Sequence, residues 1–345
     1  MTGILAIEYV LPGRILTNEE LAVLYDNWTA EKIEKKTGIK ARHITAEDET
    51  AADLGVAAAQ KLLAKNVVPK DEIDFIVCVT QSPDYKLPTT ACIMQDRLEL
   101  KKNCGAFDIN LGCSGFVYGL AVAKSLVETG IANNVLLITA ETYTKHIHSL
   151  DKSTRTIFGD GAAATLIGHG GMEICGFDLG TDGEGNDFLI IPTSGARKRP
   201  TPETAVEKEI DGNIRSEDNL FMDGARIFEF TIREVPSSVK RILKKENIKK
   251  DEIDLFIFHQ ANQFMLDFLE KIMKVDKQKC YHNFSDTGNT VCASIPIAFK
   301  RAMDEGVIKN NQTIVLSGFG VGLSWGSTVI KTGNFFSESK IQLEL

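Results

Sequence analysis

Lys70-Asp71-Glu72-Ile73-Asp74-Phe75-Ile76-Val77 returns in the far half of the chain as Lys250-Asp251-Glu252-Ile253-Asp254-Leu255-Phe256-Ile257. In each copy a charged turn leads into an unbroken apolar run, which suits a strand covered on both faces. Two further pairs keep the same order. Ile131-Ala132-Asn133-Asn134 before an apolar strand matches Ile308-Lys309-Asn310-Asn311 before Thr313 to Leu316, and Ala164-Thr165-Leu166-Ile167 matches Ser327-Thr328-Val329-Ile330. Ordered repetition at offsets of roughly 160 to 180 residues marks a duplicated architecture. The chain therefore divides into halves, 1–172 and 173–345, with the boundary near Gly168 to Cys175.

Working outward from the repeats, strand-like and helix-like segments alternate. Gly3 to Val10, Ile73 to Thr80, Ala106 to Leu111 and Val135 to Ala140 read as strands, and a small-residue strand reaches Ile167 after Phe158-Gly159-Asp160-Gly161-Ala162. Helices are expected after Thr17 or Asn18, which can cap a turn opening with Glu19 and Glu20, and over Ala30 to Lys36, Thr50 to Lys65 and Thr89 to Leu98. Such alternation predicts an α/β fold.

Composition removes several function classes. The 345 residues are 43% hydrophobic and 25% charged, an ordinary globular balance. A net charge of −8 argues against a general nucleic-acid binder, which needs a basic face. Met1 to Gly13 has no basic start followed by a long apolar run, and no window reaches the roughly 18 apolar residues of a membrane span. The expectation is a cytoplasmic protein without membrane partners. Seven cysteines without a CxxC pair fit a reducing compartment rather than a disulfide framework or a zinc site. His146-Ile147-His148 lacks further ligands and reads as a polar loop, so no metal is expected.

The chemistry-bearing residues cluster at junctions of these elements. Gly112-Cys113-Ser114-Gly115 turns a strand into the helix Phe116 to Val127, placing Cys113 at or just before a helix N-terminus, where thiolate is favoured over thiol. A thiolate is a nucleophile, whereas the other six cysteines read as small buried residues or incidental thiols. The second copy of the repeated strand ends in Phe258-His259-Gln260-Ala261-Asn262, and Asp286-Thr287-Gly288-Asn289-Thr290 precedes the segment Asn289 to Glu305 that corresponds to the Cys113 helix. Ser317-Gly318-Phe319-Gly320-Val321-Gly322-Leu323-Ser324 is a glycine-rich turn whose N–H groups can approach a ligand, as an oxyanion hole requires. It lacks the spacing and Lys-Ser/Thr of a phosphate-binding loop.

Together, Gly112-Cys113-Ser114-Gly115-Phe116, Phe158-Gly159-Asp160-Gly161-Ala162, His259-Gln260-Ala261-Asn262, Gly288-Asn289-Thr290 and Gly318-Phe319-Gly320-Val321-Gly322 resemble the β-ketoacyl-acyl-carrier-protein synthase III family in order and spacing. Thr37-Gly38-Ile39 with Arg42-His43, and Met222-Asp223-Gly224 with Phe228, extend the resemblance over residues 3 to 331. It implies a thiolase-like fold, two duplicated βαβαβαββ halves in a five-layer α-β-α-β-α arrangement, and a homodimer formed through the N-terminal half. It also implies that Cys113 takes an acyl group from a thioester, and that His259 and Asn289 donate hydrogen bonds during decarboxylation of a malonyl group on acyl carrier protein. The N–H groups of Cys113 and of the Gly320 to Gly322 turn, Val321 included, would form the oxyanion hole. No cofactor beyond acyl-coenzyme A or acyl-carrier-protein substrate is implied. By the same resemblance Lys36, Lys152, Met222, Gly224, Asn262 and Phe319 are candidate substrate contacts, and Leu87 would shape the acyl pocket across the dimer.

Several positions depart from the family pattern. Where better-known members carry a Trp and Arg residues for coenzyme A or the carrier protein, this chain has Lys32, Lys36 and Lys152, and Phe264 stands where Arg is common. Lysines meet phosphate as point charges, without stacking or a bidentate fork. Gly195 to Asn219 is longer than usual; the expectation is a solvated loop, with a substrate lid as the sharper reading. The tail from Thr332 to Leu345 carries no readable motif. Two alternatives keep Cys113: a non-condensing acyltransferase or thioesterase, and a hydroxymethylglutaryl-coenzyme A synthase with Glu141 as an acidic base. A non-catalytic subunit would have lost Cys113 or His259, and neither is lost.

Overall fold

The computed structural model describes residues 1–336, and nine strands hydrogen-bond into one mixed sheet. In chain order they are β1 (Thr2–Val10), β2 (Phe75–Val79), β3 (Gly105–Ile109), β4 (Val135–Glu141), β5 (Gly161–His169), β6 (Met172–Thr181), β7 (Leu255–Phe258), β8 (Thr313–Gly320) and β9 (Ser324–Lys331). Outward from the centre, one side reads β1-β5-β4-β2-β3 and the other β6-β9-β8-β7. These are the same order twice. Phe256 of β7 also makes a parallel bridge to Cys280, standing where β3 pairs with β2 on the other side. Within the sheet the two sides pair at Gly3–Glu173 and Ile4–Met172 of the antiparallel β1 and β6.

The repeated motif owes its recurrence to a latch. Lys70–Glu72 and Lys250–Glu252 each form a single 3₁₀ turn. The aspartate that follows binds the neighbouring strand from both ends: Asp74 N–H donates to Asn134 O (3.0 Å) and its carboxylate accepts from Asn133 N–H (2.7 Å). Asp254 repeats this on Thr313, at 2.9 and 2.8 Å. The turns Lys70–Glu72 and Lys250–Glu252 are solvated, and the aspartate that follows each fixes strand register.

Side-chain alternation along the strands then dictates the layers. Ile76 and Cys78 of β2 pack outward on α1 (Ala51–Leu63) and α2 (Thr90–Arg97), while Val77 and Val79 face inward onto α3 (Gly115–Glu128). On the other side Phe256 and Phe258 of β7 pack outward on α4 (Gly224–Lys245) and α5 (Gln263–Met273). Leu255 and Ile257 face inward onto α6 (Ser294–Asp304). α3 and α6 therefore form a buried middle layer, the third of five. Burying each large apolar side chain there contributes about 1.5–3 kcal/mol, which is why both strand faces are apolar.

The segment 195–219 is largely exposed, as expected of a solvated loop, and it carries a hairpin, Lys208–Ile210 paired with Asn213–Arg215, strapped to the 146–153 stretch. Ile214 N–H donates to Leu150 O, Asn213 Oδ1 accepts from Ser153 N–H, and Glu207 meets His148. His146, read as part of a polar loop, packs edge-on against Tyr143. At the other end of the chain Phe335 and Phe336 pack on the central core; residues 337–345 of the tail lie outside the described residues.

Candidate active site

A cavity of about 270 Å³ opens where the middle helices begin, and Cys113, His259 and Asn289 all line it. Cys113 precedes α3, His259 follows β7, and Asn289 lies in the turn before α6. Ligand sites of open α/β sheets lie beyond the carboxyl ends of their strands, and this one does. Met222, Gly224, Asn262, Phe319 and Gly320, all expected as substrate contacts, also line the cavity.

Cys113 is held flush against β8. A methyl group on Gly320 would sit 2.8 Å from Cys113 Cβ and 2.9 Å from Sγ, and one on Gly318 would meet Cys113 O at 2.7 Å, so both positions require glycine. Ser114 Oγ lies 2.7 Å from Ser324 Oγ, which donates to Val321 O at 2.9 Å, tying the cysteine turn to the glycine-rich turn. The expected resting thiolate is corrected. Burial pushes the Cys113 thiol up to about 12 and the Glu141 carboxylate adds to the rise, while the N–H groups of Cys113 and Val321 oppose it. Desolvation of the charged form outweighs the helix terminus, and Cys113 rests as a thiol.

His259 is buried, and burial pushes its imidazole down to about 3, so the ring is neutral. Its Nδ1 lies 2.7 Å from Ser294 Oγ and its ring meets Phe319 edge-on at 5.5 Å. Asn289 is oriented by its own turn: Oδ1 accepts from Val291 N–H at 2.9 Å, which leaves the Nδ2 donor unpaired among the described residues. Val291 adopts φ 53°, a costly conformation for a β-branched side chain. Backbone bonds from Asn289 N–H to Ile157 O and from Gly159 N–H to Asn289 O brace the turn on the 157–159 segment.

Other expected residues lie elsewhere. Leu87 is 83% exposed and does not reach the cavity of its own chain. Lys36 and Lys32 hold their ammonium groups over the Trp28 ring, 4.8 and 5.4 Å from its centre, outside the cavity lining. Trp28 was missed: it stands just before Thr29, the cap of the helix Ala30–Thr37, whose Lys32 and Lys36 reach back over its ring. Lys152 packs its ammonium beside Gly212 of the hairpin, next to the cavity-lining Ser153. Val321 packs beside Cys113 and offers its N–H to the sulfur; Gly322, at φ 143°, completes the turn. Glu141 does not line the cavity. It accepts from Gln81 N–H, Ser82 Oγ and the Cys292 thiol, so its oxygens are engaged and it cannot serve as the acidic base of a hydroxymethylglutaryl-coenzyme A synthase. Ser153, Leu189, Ile227 and Met265 line the cavity without any sequence-level signal beyond their apolar or small character. Among the described residues no group of three or more His, Cys, Asp or Glu is placed to hold a metal ion.

Duplicated strand order, a buried middle layer and a cysteine cavity at the seam of the halves define a thiolase-fold protein. The family descriptions that match are 3-oxoacyl-[acyl-carrier-protein] synthase III over residues 107–183 and its C-terminal counterpart over 243–332. The chain is 39% identical over 331 residues to β-ketoacyl-[acyl-carrier-protein] synthase III of Caldanaerobacter subterraneus subsp. tengcongensis, covering 95% of this chain and 97% of that one. It is also 39% identical to the enzyme of that name from Clostridioides difficile, over 95% and 98% of the two chains. A crystal structure of a 3-oxoacyl-(acyl-carrier-protein) synthase III superposes with a TM-score of 0.93 at 46% identity, over 96% of this chain and 99% of that one. The chain belongs to the 3-oxoacyl-[acyl-carrier-protein] synthase III family, and is an enzyme of that type.

Proposed function

We propose that this enzyme condenses an acyl thioester with malonyl-acyl-carrier protein by acyl transfer and decarboxylation, with Cys113, His259 and Asn289 as its catalytic residues. What carries the reading is one buried thiol and two neutral donors lining a single cavity. In the first half-reaction Cys113 Sγ attacks the thioester carbon, the leaving sulfur departs, and the thiol proton leaves with it. The thiolate that forms, and the tetrahedral oxyanion after it, draw on the N–H groups of Cys113 and Val321.

In the second, carbon dioxide leaves the malonyl group and the bonding electron pair becomes an enolate. His259 Nε2–H and Asn289 Nδ2–H donate to the thioester oxygen that gains the charge, lowering the barrier without becoming charged themselves. The enolate carbon attacks acyl-Cys113, the C–S bond breaks, and a 3-oxoacyl product leaves as the thiol takes up a proton. The balance closes with thioester substrates alone, so the chemistry needs neither metal nor redox cofactor.

Met222, Gly224, Asn262, Phe319, Gly320, Val321 and Gly322 are proposed substrate contacts, with Lys36 and Lys152 toward the phosphate-bearing carrier. We further propose a cytoplasmic homodimer of chains divided at 172/173, in which the exposed Leu87 reaches the partner's acyl pocket. Intact-protein mass spectrometry with a panel of acyl-coenzyme A and acyl-carrier-protein donors tests the reading, with Cys113→Ala as control. An acyl adduct absent in the variant and chased by malonyl-carrier protein to a 3-oxoacyl product is expected. An adduct released only to water or another acceptor would replace condensation with the non-condensing acyltransferase or thioesterase reading.

A further inference from the structure

Ser294 is the one recorded hydrogen-bond partner of the His259 imidazole among the described residues. Both side chains are buried, 3% and 2% exposed, and Nδ1 to Oγ is 2.7 Å. The hydroxyl already accepts from Gln260 N–H at 3.4 Å. A hydroxyl has one proton to give, and Nδ1 is its only recorded acceptor among the described residues. Donation from Ser294 Oγ to Nδ1 leaves the ring proton on Nε2. His259 lines the cavity, and Nε2 is the ring nitrogen that Ser294 leaves free for a substrate there.

We propose that Ser294 is a positioning residue that holds His259 in the Nε2–H tautomer, and so fixes the polarity of that donor for the decarboxylation step. The proposal rests on the condensing reading above. In the other tautomer Nε2 would turn a lone pair toward a developing oxyanion, converting attraction to repulsion. Ser294 is also the first residue of α6, directly after the turn that orients the Asn289 amide through Val291 N–H. A single short segment thus sets the direction of both donors, one by a backbone N–H and the other by a hydroxyl.

The test uses the full-length enzyme labelled with ¹⁵N-histidine, the signals of His259 being those absent from His259→Gln. Wild type is expected to show an unprotonated Nδ1 and a protonated Nε2. Ser294→Ala should lose the single-tautomer signature and release carbon dioxide from malonyl-carrier protein about tenfold more slowly or worse. Acylation of Cys113, read by mass in the same samples, should stay within about twofold, since that step does not use the His259 donor. Ser294→Thr keeps the hydroxyl and should restore both signature and rate. A protonated Nδ1 in wild type, or Ser294→Ala decarboxylating at the wild-type rate, overturns the proposal. Should Ser294→Ala fail to fold, the wild-type spectrum and Ser294→Thr still decide it. A wild type that neither acylates nor decarboxylates would sink the condensing reading, while the spectrum still reports on Ser294.

Discussion

Cys113 and Cys292 occupy the same station in the two halves, each two residues before a middle helix, yet their surroundings differ. Cys113 faces the cavity, with the bare backbone of Gly318 and Gly320 against it and the Val321 N–H on its sulfur. Cys292 is sealed in. Its Sγ lies 3.3 Å from both Val79 O and a Glu141 carboxylate oxygen, which share its one thiol proton, and burial pushes it far from ionisation. The difference teaches that a helix start does not by itself expose a thiol to a cavity. Access and the neighbouring strand end do.

The largest effect should come from exchanging the two thiols' fates. Cys113→Ala is expected to abolish the acyl adduct and reduce condensation by more than about a thousandfold, whereas Cys292→Ala retains the adduct, as intact mass would show. An adduct surviving in Cys113→Ala would mean that the wrong cysteine has been chosen. Next, Asn289→Ala should cut carbon dioxide release by about a hundred- to a thousandfold, the usual loss for one oxyanion donor, with acyl-Cys113 still forming. Equal losses in both half-reactions would show that Asn289 supports the turn more than the chemistry.

A smaller effect is expected from the strand that admits Cys113. Gly320→Ala places a methyl inside contact distance of Sγ and should slow acylation by about ten- to a hundredfold, read as the rate of adduct formation. The gentlest change concerns the carboxylate behind Cys292. Burial raises Glu141 from 4.5 to about 7, against the opposing hydrogen bonds from Ser82, Gln81 N–H and Cys292. The folded protein therefore keeps a proton that the unfolded chain has released between those values, and stability falls by about 3 kcal/mol as pH rises through that window. Glu141→Gln should flatten the fall in Tm between pH 5 and pH 8. It should also speed alkylation of Cys113 by a few-fold above pH 7, where the carboxylate is charged and opposes the thiolate. A variant whose Tm keeps the wild-type pH slope would show that another group carries it.

Much of this molecule is written locally. The twice-used Lys-Asp-Glu-Ile-Asp strand announced the duplication because a strand buried on both faces has to be apolar throughout, and a latch to the next strand requires Asp at one place in each copy. Cys113, His259 and Asn289 were legible because each sits at an element junction marked by glycine or by the end of an apolar run. Only the tertiary structure decided their electrical state. Desolvation depends on what packs around a group, so a helix terminus that favours thiolate lost to the burial that keeps Cys113 a thiol. The same holds for Glu141, whose acidic character suggested a base until Gln81, Ser82 and Cys292 were seen to engage both oxygens. Trp28 beneath two lysines, the hairpin strapped over the 146–153 stretch, and Ser294 behind His259 likewise escaped the sequence. The sequence by itself determined which elements form and where reactive side chains stand along them, since periodicity and turn chemistry act over a few residues. Folding decided which of those side chains meet, which are dry and which way each proton points, because such contacts join segments far apart along the chain.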